Sequence, residues 1–199
     1  MGNIVFMDKG NMTKKIIKKN NFGFPLEQGL YDSINEHDSC GVGLIVDTNN
    51  EASHDIIGKG LSMLCNLEHR GAVGADPKAG DGSGILIQIP HNFFKNRISS
   101  FNIPQKNNYA VGVFFIKKDD EIRNKIKSKV EETCDRENIP FIGWRQCPTY
   151  EEELGWSVKP TIPYVYHLFV GKPEGIKDQD HFERKIYVLR QCIDNAIHE

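Results

Sequence analysis

Cys40-Gly41-Val42-Gly43-Leu44-Ile45-Val46 is a short run of small and apolar residues that begins directly behind the polar segment Glu36-His37-Asp38-Ser39. Its length, its glycines and the turn-forming Asp47-Thr48-Asn49-Asn50 that follows predict a buried strand. Ser53 then predicts a helix N-cap, with Ile57, Leu61, Leu64 and Leu67 along one helical face and Gly71 as the C-terminal glycine. A glycine-rich loop from Gly71 to Gly84 leads to a second predicted strand, Ile85-Leu86-Ile87-Gln88-Ile89, closed by Pro90.

Further along, Tyr109 to Ile116 reads as a strand, and Asp119-Asp120 can cap a helix with Ile122, Ile126 and Val130 at four-residue spacing. Phe141-Ile142-Gly143-Trp144 and Tyr164 to Val170 are two more strands, separated by a proline-punctuated loop. From Asp180 a last helix keeps Phe182, Ile186, Leu189, Ile193 and Ile197 on one face. Strands and helices in this order predict a layered α/β or α+β domain. Trp144, Trp156 and Tyr150 are expected to serve packing. Before Cys40, residues 1 to about 22 are basic, Asn-rich and aperiodic, and the turn-rich stretch to Ser39 reads as a leader. The final apolar stripe stops at Glu199 without a glycine, a proline or a polar exit. That pattern suits a natural terminal helix and a chain interrupted in mid-domain equally.

Composition narrows the function classes. The chain has 199 residues, 25 Lys plus Arg against 27 Asp plus Glu, and a formal net charge of −2. Such a balance gives no electrostatic footprint for nucleic acid. No apolar stretch approaches the ~18 residues of a membrane-spanning helix. The cysteines Cys40, Cys65, Cys134, Cys147 and Cys192 are odd in number, widely spaced and without a Cys-x-x-Cys pair. That argues against a disulfide scaffold. The longest apolar run in Met1 to Asn21 is Ile4-Val5-Phe6-Met7, too short for a signal peptide. A reducing, cytoplasmic compartment is the expectation.

Among residues that could carry chemistry, Cys40 has two readings. It is either a small apolar core residue at the head of a strand or a nucleophile. Cleavage between Ser39 and Cys40 would give Cys40 a free α-amine. An α-amine titrates near ~7.7–8 and a thiol near ~8.5, so the amine can take the thiol proton at neutral pH. An N-terminal amine that activates its own side chain needs no separate histidine. Glu68-His69-Arg70-Gly71-Ala72 stands at a predicted helix end, where Arg70 can also simply meet the last carbonyls. Gly80-Asp81-Gly82-Ser83-Gly84 precedes a strand rather than a helix, so it is a poor phosphate cradle and can be a plain tight turn. His37, His54, His69, His91, His167, His181 and His198 form no i, i+4 pair and no zinc spacing with cysteine, so no metal site is expected.

Several ordered motifs resemble one family. Gly29-Leu30-Tyr31-Asp32, Glu36-His37-Asp38-Ser39-Cys40-Gly41-Val42-Gly43, Leu67-Glu68-His69-Arg70-Gly71-Ala72-Val73-Gly74-Ala75-Asp76 and Ala79-Gly80-Asp81-Gly82-Ser83-Gly84 are similar to the N-terminal class II glutamine amidotransferase domain of glutamate synthases. Gly143-Trp144-Arg145, Leu154-Gly155 and Phe182-Glu183-Arg184-Lys185-Ile186-Tyr187-Val188 follow in the same order, so the resemblance spans about residues 26 to 199.

The resemblance implies an α+β fold of the N-terminal-nucleophile hydrolase type, a four-layer αββα sandwich of which only the first half or so is present. It implies a propeptide through Ser39 and a partial glutaminase domain from residue 40 to 199. Cys40 would be the nucleophile, with its freed α-amine as general base, releasing ammonia and glutamate from glutamine through a γ-glutamyl thioester. Arg70 and Gly71 would shape the substrate pocket, and Asp81 would sit in a nearby structural loop. No cofactor is implied for this segment. FMN and an iron–sulfur cluster belong to the remaining synthase domains, where ammonia meets 2-oxoglutarate, and a small reductase subunit is a further partner. The electron donor stays open between NADPH, NADH and ferredoxin. The family's carboxylate-gripping arginine motif and its Asn-Gly oxyanion pair do not occur in the 199 residues. A truncated domain with little activity of its own is therefore expected.

Two other readings remain. A non-catalytic interaction protein built on the same fold segment would be stable and keep its Met-initiated N-terminus. A class II amidotransferase of purine or amino-sugar synthesis is opposed by the long leader and by the Gly-Asp-Gly-Ser-Gly loop after His-Arg-Gly.

Overall fold

A helix or strand needs both a periodic apolar face and something to bury it against, and the chain meets those two conditions unevenly. The computed structural model describes residues 29, 41–49, 51–67, 75–79 and 82–198. They fall into two units, one within Val5–Ala72 and one within Val73–Glu199. Each is taken by itself.

In the first unit the one described element is helix α1, His54–Asn66. Ser53 occupies its N-cap with extended dihedrals, as its sequence position predicts, but its hydroxyl makes no capping hydrogen bond. The inner face differs from the expected one. Gly60 is buried and Ile56, Ile57, Met63, Leu64 and Leu67 are half-buried, whereas Leu61 points to solvent. Residues 41–47 carry no strand pairing, contrary to the strand expected from Cys40 to Val46. Val42 is 89% exposed and Leu44 84%. A strand exists only where a neighbour accepts its ladder hydrogen bonds, and no described segment does so here. The glycines of this run meet α1. A Cβ at Gly43 would lie 2.1 Å from Met63 Sδ, so a side chain there would have to displace the Met63 thioether.

The second unit holds α2 (His91–Arg97), β1 (Tyr109–Ile116), α3 (Asp120–Arg136), β2 (Phe141–Gln146), β3 (Tyr164–Gly171) and α4 (Gln179–His198). The strands form one sheet in the order β1-β3-β2. β1 pairs antiparallel with β3 in unbroken register from Tyr109 opposite Gly171 to Ile116 opposite Tyr164. β2 pairs antiparallel with the other edge of β3, with a bulge between Phe141 and Gly143. β1 and β2 therefore run the same way on either side of β3. This makes the described sheet wholly antiparallel and resolves the α/β-or-α+β choice to α+β. Residues 85–89, the other expected strand, are not assigned to the described sheet, and Ile85 and Leu86 are exposed.

Each face of the sheet has its own core. On one face Leu168 and Val170 of β3 pack with Val130 and Cys134 of α3 and Leu189 and Ile193 of α4, with Ala110, Phe114 and Trp144 alongside. This is the stripe read from α4, and it extends the α3 stripe through Thr133 and Cys134. On the other face Phe169 meets the rings of Phe94 of α2 at 5.1 Å, Phe101 at 5.3 Å and Tyr109 at 6.1 Å. Gly143 belongs to this contact, since a Cβ there would come within 2.4 Å of the Phe101 ring. That cover stops part-way along the strands. Val113 and Phe115, which alternate onto the same face as Tyr109 and Val111, are exposed. Of the aromatics expected to pack, Trp144 does so and donates Nε1–H to Glu131, while Trp156 and Tyr150 stay exposed.

α3 is capped as its sequence predicts. One Asp119 carboxylate oxygen accepts from the amides of Glu121 at 3.0 Å and Ile122 at 3.1 Å. Asp119→Ala should cost about 1 kcal/mol, the usual loss on removing an N-cap acceptor. Urea unfolding of the chain followed by circular dichroism checks it, and an unchanged midpoint would show that the cap carries no stability.

Candidate functional site

A nucleophile must be ionisable at working pH, and burial opposes that at two of the described cysteines, Cys134 and Cys147. Burial pushes the Cys134 thiol up to about 11. Burial also raises the Cys147 thiol, against the opposing pull of the Arg145 guanidinium 3.7 Å from its sulfur. Both thiols are kept protonated and inert. The same Arg145 lies 3.4 Å from His167 Nδ1, and burial together with that charge holds the His167 imidazole below its ordinary range. Among the described residues no group of three or more His, Cys, Asp or Glu side chains is placed to hold a metal ion. No helix among them is long and apolar enough to cross a membrane.

The predicted site residues Cys40, Arg70, Gly71 and Asp81 lie outside the described residues. Between Gly71 and Asp81 in the chain, however, residues 75–79 are described, and they hold a side chain the sequence did not single out for chemistry. Asp76 is 5% exposed. One of its carboxylate oxygens accepts both the amide N–H and the hydroxyl of Ser157, each at 2.8 Å. The other oxygen accepts the Lys78 amide at 3.1 Å, and the Asp76 carbonyl accepts the Ala79 amide at 3.0 Å. The Ser157 amide is the main reason that the Asp76 carboxyl stays below the usual carboxylate range. Burial opposes this, and the Ser157 hydroxyl, the Lys78 amide and the Lys78 charge reinforce it. Gly155 makes room for the carboxylate, because a Cβ there would lie 2.4 Å from its oxygen. The sequence signal for this contact was partial. Asp76 ends the motif that begins at Leu67, and Gly155 falls in the Leu154-Gly155 match, but nothing in the pattern joins the two.

The family model for Glutamine amidotransferases class-II matches residues 40–199, from Cys40 to the last residue. The chain belongs to the class II glutamine amidotransferases. Its curated relatives include the glutamate synthase [NADPH] large chain of Bacillus subtilis, 42% identical over 172 residues, which are 86% of this chain and 11% of that protein. The chloroplastic ferredoxin-dependent glutamate synthase 2 of Arabidopsis thaliana is 35% identical over 84% of this chain and 10% of its own length. The glutamate synthase [NADH] of Schizosaccharomyces pombe is 33% identical over 87% of this chain and 8% of its own length. This amidotransferase chain thus spans about a tenth of the length of the relatives it matches. The match supports the resemblance read from the sequence motifs. The mixed helix-and-strand architecture is of the α+β kind expected for the family.

Proposed function

We propose that this chain is the glutaminase segment of a glutamate synthase, with residues 1–39 as leader and propeptide and residues 40–199 as part of the glutaminase domain. The observation that carries the reading is the start of the family match at Cys40, where a cysteine follows a polar leader. Once the Ser39–Cys40 bond is cut, the α-amine of Cys40 takes the thiol proton and the thiolate attacks the side-chain amide carbon of glutamine. The tetrahedral adduct collapses, the amine returns the proton, and ammonia leaves behind a γ-glutamyl thioester. Water, deprotonated by the same amine, then cleaves the thioester to glutamate and restores the thiol. Arg70 and Gly71 shape the glutamine pocket, and Asp81 supports it from the glycine-rich loop.

The rest of the reading concerns the domain and its partners. The fold is an αββα sandwich. Its support is a sheet with α3 and α4 on one face and a partly uncovered opposite face at Val113 and Phe115. Ammonia passes to further synthase domains carrying FMN and an iron–sulfur cluster. Neither group enters the reaction of this segment.

The test uses a chimera in which residues 1–199 replace the corresponding part of the Bacillus subtilis large chain. Intact mass should show a mature N-terminus at Cys40, and glutamine should yield glutamate and ammonia. Cleavage at another bond would overturn the assignment. The 199-residue chain alone should turn over glutamine at least ~10²-fold more slowly than the chimera, the usual loss when an oxyanion donor is missing. Comparable turnover in a coupled glutamate assay would refute that expectation.

A further inference from the structure

We propose that the connection between β2 and β3, residues 148–162, is a strap that opens as a unit of its own and is held shut by the buried carboxylate of Asp76. A segment opens apart from its surroundings when it shares little core with them and few of its hydrogen bonds leave it. The connection meets both conditions. None of its residues belongs to either core cluster of the sheet. Its backbone hydrogen bonds are local: Leu154 donates to Glu151, Val158 and Lys159 to Gly155, and Thr161 to Val158. Its two largest side chains, Tyr150 and Trp156, stand in solvent and add little hold.

What closes the strap is concentrated at one point. Asp76 and Ser157 are 81 residues apart, so the two 2.8 Å hydrogen bonds between them join distant segments of the Val73–Glu199 unit. A buried carboxylate is costly unless donors surround it, and the strap supplies two of the three that Asp76 has. Gly155 lets the strap seat directly on the carboxylate, with no room for a Cβ between them. Among the described residues, the remaining polar ties of the strap to other segments are the ion pairs Glu151–Lys118 and Glu153–Lys78. The second spans 3.9 Å between largely exposed side chains. Such pairs contribute little. Lys78 also belongs to the Asp76 turn, which the Ala79 amide closes on the Asp76 carbonyl, so one short segment carries the whole buckle. When it releases, Tyr150 and Trp156 move with the strap while the sheet keeps its ladder.

Hydrogen exchange of the 199-residue chain, read on peptides spanning residues 149–161, tests this. Asp76→Ala should speed exchange there at least about tenfold, the usual contribution of a hydrogen bond to a charged group. Peptides from β1, β3 and α4 should keep their protection. Asp76→Asn retains one acceptor and should speed exchange less, as should Ser157→Ala, which loses the hydroxyl and keeps the amide. Lys118→Ala removes an outlying ion pair and should change exchange by less than about threefold. Protection lost from the sheet together with the connection, in Asp76→Ala or in either milder variant, would show that the connection is no separate unit. Unchanged exchange in Asp76→Ala and Ser157→Ala, or a Lys118→Ala effect equal to that of Asp76→Ala, would remove Asp76 as the closure. The readout needs neither glutamine nor Cys40, so it stands apart from the glutaminase reading.

Discussion

Replacing Cys40 by alanine in the chimera should lower ammonia release from glutamine by at least ~10³-fold, because the covalent route through the thioester is lost altogether. Cys40→Ser should fall nearly as far. An α-amine titrating near ~8 is well matched to a thiol near ~8.5 and too weak to deprotonate an alcohol. Both variants should leave the urea midpoint of the chain almost unmoved. Cys65→Ala is the control. Cys65 is exposed on α1, and its loss should alter neither ammonia release nor stability. An assay of glutamine-dependent ammonia in which Cys40→Ala stays within tenfold of the parent would end the glutaminase reading.

Phe169→Ala should cost about 3–5 kcal/mol, the range for deleting a fully buried aromatic side chain. Phe169 is 0% exposed on the central strand β3, where its ring packs on Phe94, Phe101 and Tyr109. The bulge at β2 and the bare Gly143 backbone both fit around Phe101, so the cavity has little means to collapse. Against a typical total stability of ~5–15 kcal/mol, such a loss brings the sheet unit close to unfolding. Phe115→Ala is the comparison, since the same side chain on the edge strand β1 is 72% exposed and should cost less than about 1 kcal/mol. Denaturant titration by near-ultraviolet circular dichroism separates the two, and equal midpoints would contradict the assignment of the core to Phe169.

The elements most legible in the sequence are those whose stripe is buried within their own unit. The limits of β1, the Asp119 cap of α3 and the α4 face through Ile193 all coincide with their expected places. β3 reads as a nearly continuous apolar run because it is central and covered on both faces. The seven-residue helix α2, entered through Pro90, offered too few turns to show a period. The pairing of β3 between β1 and β2 was equally hidden, since element order alone does not reveal which edge a later strand takes. At Val42, Leu44, Ile85 and Leu86 the apolar pattern is real but no ladder partner meets it among the described residues. For the candidate site, the motifs pointed to Cys40, Arg70, Gly71 and Asp81 by type and order. The Asp76–Ser157 tie joins parts of the chain whose local sequence says nothing of each other.

Placing β3 between two strands that precede it has a consequence during synthesis. β1 is complete at Ile116 and β2 at Gln146, yet among the described residues the sheet neighbour of both is β3, which is not available until residues 164–171 leave the ribosome. At the usual ~5–20 residues per second, β1 stands without its partner for on the order of 3–10 s, with Phe114 and Phe115 accessible to anything nearby. Slowing translation between β2 and β3 should lengthen the interval in which these aromatic side chains stand uncovered.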